Sequence, residues 1–227
     1  MSIIVFAGPN GSGKSTIINK FIEVNNLQSI PFVNADNIAQ TFFSHIEDYN
    51  ERNLAAAKYA ESLRHKLLDN NQSFIFETVL STDRNLKFLQ EAKSKGVKIL
   101  GVYVLTEDPS INIERIKGRV LSGGHSVPEE KIISRYYKCL KLFPEFVDVV
   151  DKMLFYDNST ETRLVLLKDK DIKVLKNQIH NKEWYKQNIL SHFNGKYKIA
   201  FKDSDLMSDL EILDIKILSQ LSERTND

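Results

Sequence analysis

Ser2-Ile3-Ile4-Val5-Phe6-Ala7-Gly8-Pro9-Asn10-Gly11-Ser12-Gly13-Lys14-Ser15-Thr16 follows the initial Met1 and decides the fold of this chain. Its first six residues are an apolar run rich in branched side chains, the pattern of a strand buried on both faces. Beyond Lys14, the residues Ile17, Ile18, Phe21 and Ile22 recur at the spacing of one helix face. Between strand and helix, Gly8 to Ser15 satisfies Gly-x-x-x-x-Gly-Lys-Ser. Glycines in that setting let successive backbone N–H groups turn inward around a phosphate chain, and the start of the helix adds the positive end of its dipole. Lys14 is then expected to reach the β and γ oxygens, and Ser15 to offer its hydroxyl to Mg²⁺. The segment Gly8, Pro9, Asn10, Gly11, Ser12, Gly13, Lys14, Ser15, Thr16 is read as the binding loop for a nucleoside triphosphate with Mg²⁺.

Outward from this loop, strands and helices alternate. Strands are expected at 30–34, 73–76, 98–105 and 153–156, with helices at 50–68, 84–95, from Pro109, and from Pro128. The first of these helices carries Leu54, Ala57, Ala60, Leu63 and Leu67 as its apolar stripe. The helix from Pro109 carries Ile111, Ile113, Ile116 and Val120, and breaks at Gly123-Gly124. Ile132, Tyr136, Leu140 and Phe143 share one face of the next. Strands separated by helices imply parallel crossovers and a sheet covered on both sides. The expected class is therefore α/β, a P-loop NTPase with helices on both faces and a helical lid at about 109–145. A core at 1–160 is followed by an extension at 161–227, read as a β-hairpin (163–167 with 172–175) and helices at 184–193 and 206–221.

With 227 residues and a formal net charge of +1, the chain suits one main core and gives no global attraction for nucleic acid or a membrane surface. The single cysteine, Cys139, excludes an internal disulfide framework and suits a reducing compartment. No apolar run reaches spanning length and no signal-peptide pattern opens the chain, so the cytoplasm is the expected location. Asn158-Ser159-Thr160 matches a glycosylation acceptor only by accident on this reading.

Two carboxylates are expected on the carboxyl edge of the sheet beside the loop. Asn34-Ala35-Asp36 follows the second strand, and Asp36 there can take a proton from a substrate hydroxyl; the alternative is a solvated helix cap. Glu77 and Thr78 follow the apolar Phe74-Ile75-Phe76 and can order Mg²⁺ through water or hold an acceptor hydroxyl; the alternative is a turn cap. Between Pro109 and Pro144, Lys and Arg outnumber Glu. Arg115 and Arg119 lie four apart on one helix, and Arg135 sits on the next, beyond the glycine elbow. Such helices can close over phosphates and supply guanidinium charge, or stand as a solvated basic pair. His125 adjoins the elbow, within reach of phosphate or as a structural hydrogen bonder.

In order, Gly-Pro-Asn-Gly-Ser-Gly-Lys-Ser-Thr, Asn34-Ala35-Asp36, Phe76-Glu77-Thr78, the run Gly118-Arg119-Val120-x-x-Gly123-Gly124-His125-x-Val127-Pro128, and Arg135-Tyr136 resemble the zeta-toxin-like P-loop kinases over about residues 1–160. The resemblance implies a nucleoside-kinase-like fold and ATP·Mg²⁺-dependent phosphorylation of a hydroxyl on a UDP-N-acetylamino sugar, with an antitoxin protein as partner. It implies Asp36 as general base, Lys14 as phosphate lysine, Glu77 and Thr78 as substrate-holding residues in company with Asn34, and Arg119 and Arg135 as lid arginines. Two segments depart from the toxin pattern. Asn37-Ile38-Ala39 follows the base where toxins carry an arginine, and Glu77-Thr78-Val79-Leu80-Ser81 stands where they have Glu-Gly-Thr-Leu-Arg. Two other readings of the loop remain at this point: an ATP-dependent switch acting on a protein, and a polynucleotide 5′-hydroxyl kinase, the latter disfavoured by the near-neutral charge.

Overall fold

The computed structural model describes residues 1–124, 126–168, 173–176, 183–193 and 198–201. Five strands, β1 (Ser2–Ala7), β2 (Phe32–Val33), β3 (Phe74–Thr78), β4 (Lys98–Leu105) and β5 (Lys152–Asp157), are parallel neighbours in the order β2-β3-β1-β4-β5. The sheet continues through β6 (Arg163–Lys168), antiparallel to β5, β7 (Lys173–Lys176), antiparallel to β6, and β8 (Lys198–Phe201), parallel to β7. Its helices are α1 (Lys14–Val24), α2 (Ala35–Phe42), α3 (Tyr49–Asp69), α4 (Arg84–Ser94), α5 (Pro109–Leu121), α6 (Glu129–Val149) and the short α7 (Glu183–Asn188). This is the α/β P-loop class.

Burial explains the layering. Every residue of β1 is buried, and its side chains alternate between two cores. Ile3, Val5 and Ala7 join the core under α3, α4 and α6, whereas Ile4 and Phe6 join the one under α1, with Ile17, Ile18 and Phe21. A strand with no solvent face reads as a continuous apolar run, which is why its bounds were visible in the sequence. Because β1 pairs with β3 on one side and β4 on the other, the crossovers diverge at its carboxyl end. Open α/β sheets bind ligands at such a point, and the glycine loop emerges there.

Several expectations are corrected. The second strand, expected over 30–34, is confined to Phe32–Val33, because Asn34 already caps α2 by accepting from the Asn37 amide. On α3 the buried line is Ala56, Ala60, Arg64, Leu67 and Leu68, while Leu54 is 57% exposed. An arginine replaces an aliphatic residue in that line by laying its guanidinium over the rings of Phe76 and Phe88, so apolarity alone misplaces the stripe. On α5, Ile116 is buried but Val120 is exposed. The expected helix at 184–193 divides into α7 and a 3₁₀ turn at Leu190–Phe193. The hairpin expected beyond β5 is present as β6 and β7, its second strand beginning at Lys173; Ile172 and the helix expected at 206–221 lie outside the described residues. Among the described residues no helix is long and apolar enough to cross a membrane.

Candidate functional site

The glycine loop is held from three sides. Gly11 and Gly13 have φ values of 77° and 92°, backbone that L side chains rarely adopt. A Cβ on Gly11 would stand 2.6 Å from the Asn112 carbonyl oxygen, and one on Gly13 would overlap the Asn158 side-chain amide. Both glycines are thus required twice, by conformation and by close approach. Three loop carbonyls accept from side chains: Pro9 from Lys14 Nζ at 2.9 Å, Asn10 from Asn112 Nδ2 at 2.7 Å, and Ser12 from Asn158 Nδ2 at 2.8 Å. The Ser12 hydroxyl is buried and has no partner among the described residues. Ser15 and Thr16, in the first turn of α1, are exposed.

Lys14 links this loop to the neighbouring strand. Its side chain is 5% exposed, and the ammonium lies 3.6 Å from Glu77 Oε1. Glu77 Oε2 accepts from Asn34 Nδ2 at 2.8 Å, and Asn34 Oδ1 caps α2 through the Asn37 amide. Lys14, Glu77 and Asn34 are therefore one connected group, assembled from α1, the end of β3 and the start of α2. Glu77 belongs to the last two residues of β3 rather than to the turn beyond it. Asp36 is exposed in the first turn of α2, two residues past Asn34, where a carboxylate complements the helix dipole. The Thr78 hydroxyl is buried and accepts twice, from the Leu80 amide at 2.9 Å and from Asn85 Nδ2 at 2.6 Å.

The three arginines of α5 and α6 occupy different places. Arg135 donates to Asn10 Oδ1 at 2.9 Å and so touches the loop directly. Arg115 is half-buried, with one nitrogen 3.4 Å from the Ser159 carbonyl and another buried without a partner among the described residues. Arg119 is exposed in the last turn of α5, its side chain alongside Gly124. Although four apart, Arg115 and Arg119 are thus divided between a semi-buried and a solvated setting. His125 lies outside the described residues.

Four contacting residues escaped the sequence reading. Asn112 is fully buried on α5, and Asn158 is the first residue after β5; each donates to the loop. A polar residue inside the apolar face of α5, and an asparagine at the carboxyl end of a parallel strand, were the available signals. Arg64 and Asn85 form a chain to Thr78, with Arg64 donating to Asn85 Oδ1 at 3.1 Å. Burial pulls the Arg64 guanidinium below its usual range. Cys139 is fully buried and donates to the Val79 carbonyl; burial pushes its thiol up to about 12, which excludes a nucleophilic thiolate near neutral pH. Among the described residues no three His, Cys, Asp or Glu side chains gather as a metal cluster.

Comparisons with known proteins bear on the family and the fold. The family model described as Zeta toxin matches residues 2–169. An uncharacterised protein of Haemophilus influenzae is 31% identical over 135 residues, covering 59% of this chain and 91% of that one. Among solved structures, one from the PezAT chromosomal toxin-antitoxin system of Streptococcus pneumoniae has a TM-score of 0.54 at 19% identity, covering 98% of this chain and 88% of its own. AvrRxo1-ORF1:AvrRxo1-ORF2 with sulphate ions has a TM-score of 0.62 at 15% identity, over 82% of this chain and 63% of that one. The likenesses in structure establish the fold. Because the family model spans the glycine loop, Asn34, Glu77 and both helices α5 and α6, the chain belongs to the zeta toxin family.

Proposed function

We propose that the protein is an ATP·Mg²⁺-dependent kinase that phosphorylates a hydroxyl of a small acceptor, a UDP-N-acetylamino sugar being the acceptor class its family favours. The observation that carries this reading is the Lys14–Glu77–Asn34 group at the mouth of the glycine loop, with Asp36 one half-turn along α2. Loop amides and Lys14 would hold the β and γ phosphates, and Ser15 would hold Mg²⁺, which supplies charge neutralisation between those phosphates. Ser12 contributes a buried hydroxyl without a partner among the described residues, consistent with an anion beside it.

In this reading Asp36 accepts the proton of the acceptor hydroxyl. The acceptor oxygen bonds to the γ phosphorus, the bond from that phosphorus to the β-γ bridging oxygen breaks, and ADP departs. Glu77, Thr78 and Asn34 orient the acceptor. Arg119, Arg135 and Arg115 answer the charge on the transferring group. The likeness to a toxin-antitoxin structure supports an antitoxin protein as partner, and the composition supports action in the cytoplasm.

The test is incubation with γ-labelled ATP, first with UDP-N-acetylglucosamine and then with a metabolite extract. Label is expected on an acceptor with the native protein and on none with Lys14→Ala. Release of labelled phosphate alone, at the same rate with and without acceptors, would replace the kinase by a nucleotide-driven switch.

A further inference from the structure

Outside the signature loop, two asparagines control which way the loop's peptide planes face. Every described peptide bond is trans, so the carbonyl of one residue and the N–H of the next point in opposite directions. Fixing a carbonyl outward therefore fixes the following N–H inward. Asn112 Nδ2 holds the Asn10 carbonyl, which aims the Gly11 N–H; Asn158 Nδ2 holds the Ser12 carbonyl, which aims the Gly13 N–H. Neither amide has an acceptor among the described residues, whereas the Ser12 amide is already spent within the loop on the Pro9 carbonyl at 3.3 Å.

The two asparagines are themselves anchored. Asn112 Oδ1 accepts from the buried Thr106 hydroxyl at the end of β4. Asn158 Oδ1 accepts from Thr162 Oγ1 at 2.7 Å, and the Asn158 amide donates to the Leu105 carbonyl at 2.8 Å. With its oxygen occupied by a hydroxyl donor, each side chain can present only its NH₂ to the loop. The amide orientation is set by the network, and an oxygen facing the loop carbonyl would be repelled.

We propose that Asn112 and Asn158 are positioning residues for phosphate binding, which preset the Gly11 and Gly13 amides as an anion-holding pair before nucleotide arrives. Gly11 and Gly13 are the complement of that arrangement: their missing side chains leave the room these two residues occupy. The proposal rests on the nucleotide-binding part of the proposed function but not on any acceptor. Preset donors bind an anion without reorganising, which is the source of their strength.

The experiment compares the native protein with Asn158→Asp, Asn158→Ala and Asn112→Ala. Binding of Mg·ADP is measured by calorimetry, thermal unfolding is measured without nucleotide, and the Gly11 and Gly13 amide resonances are followed by ¹⁵N–¹H NMR during the titration. Asp is isosteric with Asn but sets an oxygen against the Ser12 carbonyl, so Asn158→Asp is expected to weaken ADP by more than Asn158→Ala, which loses roughly ten-fold. Asn158 variants should diminish the ADP-induced shift at Gly13 while keeping that at Gly11, and Asn112→Ala should do the reverse. Equal affinity in Asn158→Asp and the native protein, or uniform shift changes at both glycines, overturns the proposal. So does a loss of affinity that merely follows a collapse of the nucleotide-free Tm, which would make the asparagines supports of the fold. Failure of the native protein to bind ADP would instead bring down the nucleotide-binding reading as well.

Discussion

The two sides of the proposed site, a nucleotide wall and an acceptor wall, are built on opposite principles. On the nucleotide wall, three loop carbonyls are captured by side chains, two glycines are excluded from any other identity by their neighbours, and Lys14 is buried. On the proposed acceptor wall, Asp36 is exposed on a two-turn helix, Arg119 is exposed at the end of α5, and Thr78 presents a hydroxyl whose accepting positions are filled by Leu80 and Asn85. One wall is held by contacts already made; the other presents side chains that are mostly exposed. A polyphosphate is a constant shape that a rigid cradle fits, whereas acceptor chemistry depends on a few side chains that gain their full geometry only with substrate present.

The sharpest way to break this contrast is Asp36→Asn. A residue with no packing role and a proton to move should lose roughly a thousand-fold in kcat, with Mg·ADP affinity and Tm unchanged, as measured by label transfer, calorimetry and thermal unfolding. Unaltered transfer would remove Asp36 from the mechanism. Gly13→Ala addresses the other wall. Its positive φ and the Asn158 side chain leave no room for a methyl group, so nucleotide affinity is expected to fall about a hundred-fold, because the Ser12–Gly13 peptide must turn. Calorimetry with Mg·ADP decides it, and near-native affinity would show that the loop is less rigid than its contacts imply.

The same contrast explains what the sequence disclosed. The first strand, the loop and α1 were legible because burial and left-handed backbone both demand particular residues, so Ile3 to Ala7 and the glycines at 11 and 13 carry their structure in their identity. Lys98 to Leu105, buried over almost its whole length, was read to the residue for the same reason. Placing two strand ends on one edge led to Asp36 and Glu77 beside the loop, whereas the link from Lys14 through Glu77 to Asn34 was not specified by the sequence. Asn112, Asn158 and Arg64 were not legible, since a polar side chain in an apolar stripe gives no hint of which distant carbonyl or ring it meets. Asn158 donates to Ser12 across 146 residues of chain, a contact that no local pattern encodes.

Thr78→Val tests whether the acceptor wall has a structural duty as well. Valine keeps the shape but leaves the Leu80 amide and Asn85 Nδ2 without their acceptor, which is expected to cost about 1–3 kcal/mol. That corresponds to a Tm lower by about 2–4 °C for each kcal/mol in a chain of this size. The Michaelis constant for the acceptor should rise roughly ten-fold as its hydroxyl donor is lost, while Mg·ADP binds as before. An unchanged Michaelis constant with lowered Tm would reduce Thr78 to a strut of the β3 turn.

Arg64→Met is expected to have the smallest effect on function, and it separates the walls most finely. The guanidinium is 7% exposed, one of its nitrogens is buried without a partner among the described residues, and the nearby Glu61 directs its carboxylate to Arg84 at 3.4 Å. Removing a buried cation lifts a desolvation penalty, and methionine refills the space between Phe76 and Phe88 with a flexible thioether that packs well on aromatic edges. Against this stands the lost donor to Asn85 Oδ1. The opposing contributions should leave the unfolding free energy within about 1–2 kcal/mol of native, read from denaturant unfolding. Mg·ADP affinity should not move, because Arg64 faces the acceptor wall through Asn85 and Thr78. A Tm collapse would show that the cation–ring stack, and not the surrounding aromatic core, holds α3 to the sheet. A weakened acceptor with intact stability would show that a buried charge has been kept at this wall for what it does to Thr78.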